Sequence, residues 1–205
     1  MAIIINNRNS PTAISCGGHD IREVYVGSHK VWPDENEFYI RIRPYQGSYD
    51  WHYVTRGESI PYDISELETG SLCESIWLSL LDISRLKLSD STKVLGDLTD
   101  CRNLTYIDLG NGLERITQPF WAHSPVSLDV TVTLPASIKE LVLPLTNWAS
   151  QYRKFICLAT TPPTVTATTA GDHRPFYVPA ESFDLYKVAP GWDDLYNRGY
   201  LFPIE

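Results

Sequence analysis

Four apolar positions recur at one displacement. Ile107-Asp108-Leu109, then Leu113 and Ile116, are matched by Val132-Thr133-Leu134, then Ile138 and Leu141, every position moved by 25. A period of this size constrains a chain strongly, because each unit is a short strand and turn whose apolar face is too small to bury alone. Units of this kind must stack, the inward residues of one on those of the next, and about three or more are needed. A weaker unit begins at Leu86-Lys87-Leu88, 21 residues before Ile107 and Leu109. Phe155-Ile156-Cys157-Leu158 is a later unit and Phe176-Tyr177-Val178 the last. So short and irregular a stack needs closing at both ends.

The N-terminal end is read as a small antiparallel β-module. The first twenty residues are polar and rich in turn formers, as expected of an arm that orders only when something ties it down. Gly27-Ser28 suits a two-residue hairpin turn, with Gly at the first central position of a type II′ geometry. That turn sets Val24 opposite Val31 and Tyr25 opposite Lys30, and Pro33 ends the second strand. From Phe38 to Arg43 the alternation is strict, with Phe38, Ile40 and Ile42 on one face and Tyr39, Arg41 and Arg43 on the other. Trp51-His52-Tyr53-Val54 is a fourth strand. Pro61 marks the boundary, which divides the chain into 1–60, arm and β-module, and 61–205, the repeat domain. Ser71-Leu72-Cys73-Glu74 has the form of a capping box at a helix start. The run Ile76 to Leu81 that follows suits a helix or a buried strand equally.

At the C-terminal end Pro179 fits the first turn of a helix and Glu181 its positive start. Phe183 and Tyr186 share a face, with Leu185 and Val188 beside them, and Pro190-Gly191 stops the helix before Trp192, Leu195 and Tyr196. The order from Phe155 to Trp192 is strand, Pro162-Pro163 stop, strand Phe176-Tyr177-Val178, then helix. It resembles the last coil and end cap of a leucine-rich-repeat solenoid of the BspA type, which is common in surface proteins of gut Bacteroidetes and in phages that infect them. The likeness covers roughly residues 84 to 196. It departs from the family in lacking the repeated Ala-Phe-x-x-Cys turn, whose slot is filled once, by Pro119-Phe120-Trp121-Ala122-His123. The hairpin Val24-Tyr25-Val26-Gly27 with Lys30-Val31-Trp32 resembles short modules of phage tail and other virion proteins. Together these likenesses imply a scaffold for contact.

Composition removes several classes. With 205 residues the chain buries a core without disulfides or metal, and 43% hydrophobic residues against 20% charged ones oppose global disorder. A net charge of −8 speaks against general binding to nucleic acid or anionic membranes. Twelve Tyr and six Trp suit β-rich cores first, and interfaces or sugar-stacking faces second. The opening Met1-Ala2-Ile3-Ile4-Ile5 carries no basic residue ahead of its three isoleucines, so neither a signal peptide nor a transmembrane segment is expected. A virion protein, made in the host cytoplasm and released by lysis, reconciles that with a surface-type solenoid.

No catalytic, cofactor-binding or metal residues are assigned. Phosphate-loop, Gly-x-Ser-x-Gly and His-Glu-x-x-His patterns are missing, and Cys16, Cys73, Cys101 and Cys157 are scattered. The five histidines, His19, His29, His52, His123 and His173, lack ligand spacing. Asp193-Asp194 reads as a solvated helix start, Glu114 and Glu140 as surface residues that line up poorly. The Thr-rich stretch from Thr160 to Thr169 reads as a solvated connection in which prolines block sheet pairing. Asn103-Leu104-Thr105 has the form of a glycosylation acceptor. The candidate partner-contact residues are Arg41, Arg43, Trp51 and Tyr53, since Arg and aromatics anchor interfaces most often.

The expected protein is mainly β with short helices (α+β): an antiparallel module, a short irregular leucine-rich-repeat-like solenoid, and a C-terminal helical cap. The expected role is that of a non-enzymatic virion structural protein of a bacteriophage, in the tail, a fibre or a head decoration. It would contact other virion proteins and copies of itself as a homo-oligomer, without cofactor, nucleic acid or membrane. The alternative is a carbohydrate-binding or adhesive surface module of a gut bacterium, glycan contact being the lesser expectation.

Overall fold

From residue 64 on, the chain supplies strands in twos, one before and one after a tight turn, and the second strands of successive units pair side by side, as the first strands do within two separate sheets. The computed structural model describes residues 39–44, 51–54, 56, 58–60, 64–78, 83–96, 104–118, 130–143, 152–168 and 175–205, together with the strands at 14–16, 19–21, 24–26 and 29–32. Pro119 to His123, Cys101, Asn103 and His173 lie outside those residues.

Two hairpins come first. Strands β1 (Ile14–Cys16) and β2 (His19–Ile21) pair antiparallel, as do β3 (Val24–Val26) and β4 (His29–Trp32). Tyr25 faces Lys30, but Val24 faces Trp32 and not the expected Val31. The register shifts between Val24 and Tyr25, as when a bulge sets two residues of one strand against one of its partner. Strands β5 (Ile40–Pro44) and β6 (His52–Val54) follow.

Five units then supply β7 (Ile64–Thr69) and β8 (Ser75–Ile76), β9 (Arg85–Lys87) and β10 (Val94–Leu95), and β11 (Tyr106–Asp108) and β12 (Arg115–Ile116). The fourth and fifth give β13 (Val130–Leu134) and β14 (Glu140–Leu143), then β15 (Tyr152–Cys157) and β16 (Thr164–Thr168). Strand β17 (Phe176–Val178), the helices α1 (Phe183–Val188) and α2 (Trp192–Asn197), and β18 (Leu201–Pro203) close the chain. The second strands form one parallel sheet in the order β16-β14-β12-β10-β8. The first strands form two sheets, β11-β9-β7-β5-β6, mixed, and β13-β15-β17-β18, parallel. The fold is mainly β, with parallel and mixed sheets and short helices.

The four recurrent positions behave as the period requires. Leu109, Leu113, Ile116, Val132, Leu134, Ile138 and Leu141 are buried, and Ile107 packs against them half-exposed. One earlier unit was not legible as such. Leu67 and Ile76 stand opposite Leu86 and Leu95, 19 residues on, and all four are buried. In that unit Thr69 takes an inward position, as Thr92 does in the next. The two hydroxyls lie 2.8 Å apart, Thr69 Oγ1 accepts the Ser89 N–H, and Thr92 Oγ1 donates to the Cys73 carbonyl, so each buried hydroxyl is satisfied.

The division at residues 60 and 61 falls within a sheet: β5 pairs with β6 on one side and β7 on the other, and Ile40, Ile42 and Val54 share one apolar core with the repeat. The capping box at Ser71 is a turn leading into a strand. The Glu74 carbonyl accepts the Lys93 and Val94 N–H groups of the next unit, and Ser71 Oγ is buried without a hydrogen-bond partner among the described residues. Of the run from Ile76 to Leu81, Ile76 ends strand β8, Trp77 and Leu78 belong to no helix or strand, and Ser79 to Leu81 lie outside the described residues. The Thr-rich stretch is strand from Thr164, since Pro162 and Pro163 stand just ahead of it, where they cost the ladder nothing. Nor is Phe176-Tyr177-Val178 the last rung: β18 pairs parallel beyond it, Phe176 opposite Leu201 and Tyr177 opposite Phe202.

The cap closes the stack from inside. Tyr186 and Trp192 are fully buried and meet edge to face at 4.7 Å, while Trp192 meets Phe176 edge-on at 5.4 Å and Phe176 stacks on Phe155 at 4.9 Å. Pro179 precedes a 3-10 turn, Ala180–Ser182, that runs into α1. Gly191 between the helices has φ +84, and a Cβ there would meet Val165 at 2.8 Å, so the turn requires glycine twice over. Leu185 and Val188, expected beside Phe183 and Tyr186, face away and are exposed. No described helix is long and apolar enough to cross a membrane.

Candidate interaction face

The alternation in β5 sends Ile40 and Ile42 to the core and leaves Arg41 and Arg43 on the outer face of the mixed sheet. Register then sets two columns. Tyr53, Arg41, Glu68, Lys87 and Asp108 stand side by side on successive strands, and Arg43, Glu66, Arg85 and Tyr106 form the neighbouring column. Charges alternate in sign along both. Neighbouring strands lie about 4.8 Å apart, so like charges at these positions would repel and opposite ones attract.

The contacts follow the register. Arg41 donates from Nε to Glu68 Oε2 at 2.8 Å and from Nη2 to the same oxygen. Arg43 donates from Nη1 to Glu66 Oε1 at 2.7 Å, and the other oxygen of Glu66 lies 3.7 Å from Arg85 Nε. The guanidinium carbons of both arginines lie over the Trp51 ring, at 4.6 and 4.7 Å from its centre, and that of Arg85 lies over Tyr106 at 3.7 Å. Glu68 is buried despite its charge, an arrangement that requires a paired partner.

Three of the four expected contact residues, Arg41, Arg43 and Trp51, therefore form one cluster, with Tyr53 opposite Arg41. Their principal partners are within the chain. The expectation missed Glu66, Glu68, Arg85 and Tyr106, although the signal was present. Glu66-Leu67-Glu68, Arg85-Leu86-Lys87 and Tyr106-Ile107-Asp108 are polar-apolar-polar triplets centred on inward residues 19 and 21 apart.

The parallel sheet carries a second ladder. Glu74, Lys93, Glu114 and Lys139 line up through successive N–H to carbonyl bonds. Lys139 Nζ lies 2.6 Å from Glu114, Lys93 Nζ 4.0 Å from it, and Arg115 Nε 2.7 Å from Glu140. Glu114 and Glu140 are surface residues that do not line up with each other, as expected: the register sets Arg115 opposite Glu140 and Lys139 beside Glu114, so each carboxylate meets a base of an adjacent unit. The hydrogen bond from Lys139 holds the Glu114 carboxyl below the usual carboxylate range. Asp193 and Asp194 diverge, one accepting the Gly191 N–H at 2.9 Å and the other pairing with Arg198 at 3.0 Å.

These faces offer cations over aromatic rings and paired charges of both signs. Among the described residues no three His, Cys, Asp or Glu side chains converge to hold a metal ion. No protein-family model matches the chain, and no curated protein matches it.

Proposed function

We propose that the chain is a non-enzymatic structural protein of a bacteriophage particle, in the tail, a fibre or a head decoration, built as a short, irregular leucine-rich-repeat-like solenoid. Its work is contact with other virion proteins and with copies of itself. One observation carries the reading: polar side chains on the outer strand faces are used to tie strand to strand across the sheets. Arg41 with Glu68, Arg43 with Glu66, Lys139 with Glu114 and Arg115 with Glu140 each join neighbouring strands. Such ladders fix the register of a scaffold and leave broad, rigid faces for docking. The likeness of residues 155 to 192 to a BspA-type end cap supports the same reading, since Tyr186 and Trp192 fill the place such a cap must fill. The N-terminal hairpin's likeness to virion modules points to the particle.

Mass spectrometry of purified phage particles together with sedimentation of the recombinant chain tests this. The expected result is a stoichiometric particle component that self-associates. A chain absent from the particle and monomeric at all accessible concentrations would overturn the proposal.

A further inference from the structure

Trp77 follows β8 directly, on the solvent face of the parallel sheet, and is 57% exposed. The next unit places Gly96 beneath it, the Gly96 N–H bonding to the Ile76 carbonyl. Gly96 lies on that same outer face and is nevertheless buried, because the indole covers it. A Cβ built on Gly96 would collide with Cγ, Cδ1 and Nε1 of Trp77, the three nearly equidistant from it. An edge-on ring would bring one or two atoms close and leave the third far behind. The ring therefore lies face down on the sheet. Its opposite face is turned to water, a costly arrangement for so large an apolar surface.

The surroundings are polar. Ser75, Arg115, Thr117 and Glu140 stand on the same outer face, with Arg115 and Glu140 paired at 2.7 Å. Val94 is half-buried and Val142 buried, so Trp77 is the one large apolar side chain exposed on this face among the described residues. A protein partner needs an apolar core of several side chains within about 800 Å² per side, and among the described residues this face exposes a single indole. A flat ring bordered by hydroxyls and a charge pair instead matches a pyranose, whose C–H face stacks while its hydroxyls hydrogen-bond around the rim. Because Arg115 is already neutralised by Glu140, nothing here selects an anion.

We propose that Trp77 is a stacking platform for one ring of a neutral glycan, with Ser75 and Thr117 bordering that ring and the Arg115–Glu140 pair placed to hydrogen-bond the hydroxyls of a neighbouring ring. Ser75 and Arg115 are two strand spacings apart, about 10 Å, a span suited to one or two sugar rings. This holds whatever particle or surface carries the chain.

The test uses the full chain labelled with 5-fluorotryptophan, whose six fluorine resonances are assigned with Trp77→Phe. It is titrated to millimolar concentration with neutral gluco-, manno-, galacto- and xylo-oligosaccharides. The expected result is a saturable shift of the Trp77 resonance with at least one series. Trp77→Ala weakens that binding roughly tenfold or more. Gly96→Ala, which lifts the ring without deleting it, also weakens binding, while Trp77→Tyr retains most of it. The proposal is overturned if no series moves the resonance, or if Trp77→Ala binds as tightly as the parent. It is equally overturned if the resonance responds only to protein concentration, which would make the face a contact between copies.

Discussion

The Tyr186 hydroxyl donates to the Ala159 carbonyl at 2.8 Å, tying the helical cap to the turn of the last complete unit. Cys157 Sγ lies 3.3 Å from the same oxygen, and as the hydroxyl proton is given to Ala159, the thiol is the donor there. Nothing else about the ring depends on the oxygen.

Tyr186→Phe therefore removes the tie to Ala159 together with the Cys157 contact. It keeps the ring against Trp192 and leaves the buried Ala159 carbonyl without its phenolic donor, at a cost of about 1–3 kcal/mol. Urea unfolding followed by circular dichroism should show a lower midpoint at unchanged slope. An unchanged midpoint would mean that the cap is held by packing alone.

The Arg41–Glu68 pair, with side chains 22% and 10% exposed, should couple more strongly than Lys139–Glu114, at 68% and 33%. In a double-mutant cycle, Arg41→Met and Glu68→Gln should show about 1 kcal/mol of coupling, discounted from a fully buried pair because water still reaches the guanidinium. Lys139→Met with Glu114→Gln should show a smaller coupling, because water screens the more exposed pair. Equal coupling at both sites would refute the reading of the mixed-sheet ladder as the stronger register device.

What was legible in the chain follows from how repeats encode themselves. Leu109, Leu113, Ile116 and their counterparts 25 residues on were readable because an inward position keeps its apolar character from unit to unit. The first unit hid because Thr69 and Thr92 put hydroxyls where the pattern asks for leucine, and because spacing shrinks to 19 between Leu67 and Leu86. The second strands, only two residues long in three units, have no alternation to read. At the interaction face the arginines were readable from strict alternation in one strand, and Trp51 from the aromatic character of the next. Glu66 and Glu68 were not, since their significance lies in the register between strands, which a single strand does not contain. Trp77 was hidden for a related reason: its exposure depends on Gly96 of the following unit.

Glu114 should titrate below the ordinary carboxylate range, because Lys139 hydrogen-bonds its charged form. As the folded carboxyl is the more acidic, its contribution to stability is present above the ordinary range and is lost as pH falls through the depressed value. NMR titration of the Glu114 side-chain carbonyl carbon should give that low midpoint, and Lys139→Met should raise it toward the ordinary value. A midpoint indifferent to Lys139 would assign the shift to another cause.

Cys73 and Cys157 should be inert in the folded chain. Both thiols are fully buried, and burial pushes Cys73 up to about 11 and raises Cys157, outweighing the hydrogen bonds that each makes. The thiolate is the reactive form, so at pH 8 both access and ionisation oppose reaction. Each also sits at a structural junction, Cys73 where its carbonyl receives Thr92, Cys157 beside Tyr186. A disulfide reagent at pH 8, read by peptide mass spectrometry, should label Cys73 and Cys157 only at the rate of unfolding, and urea should release both together if the core of the repeat opens as one unit. Labelling of Cys157 well before Cys73 would show that the cap opens by itself, leaving the stack intact beneath it.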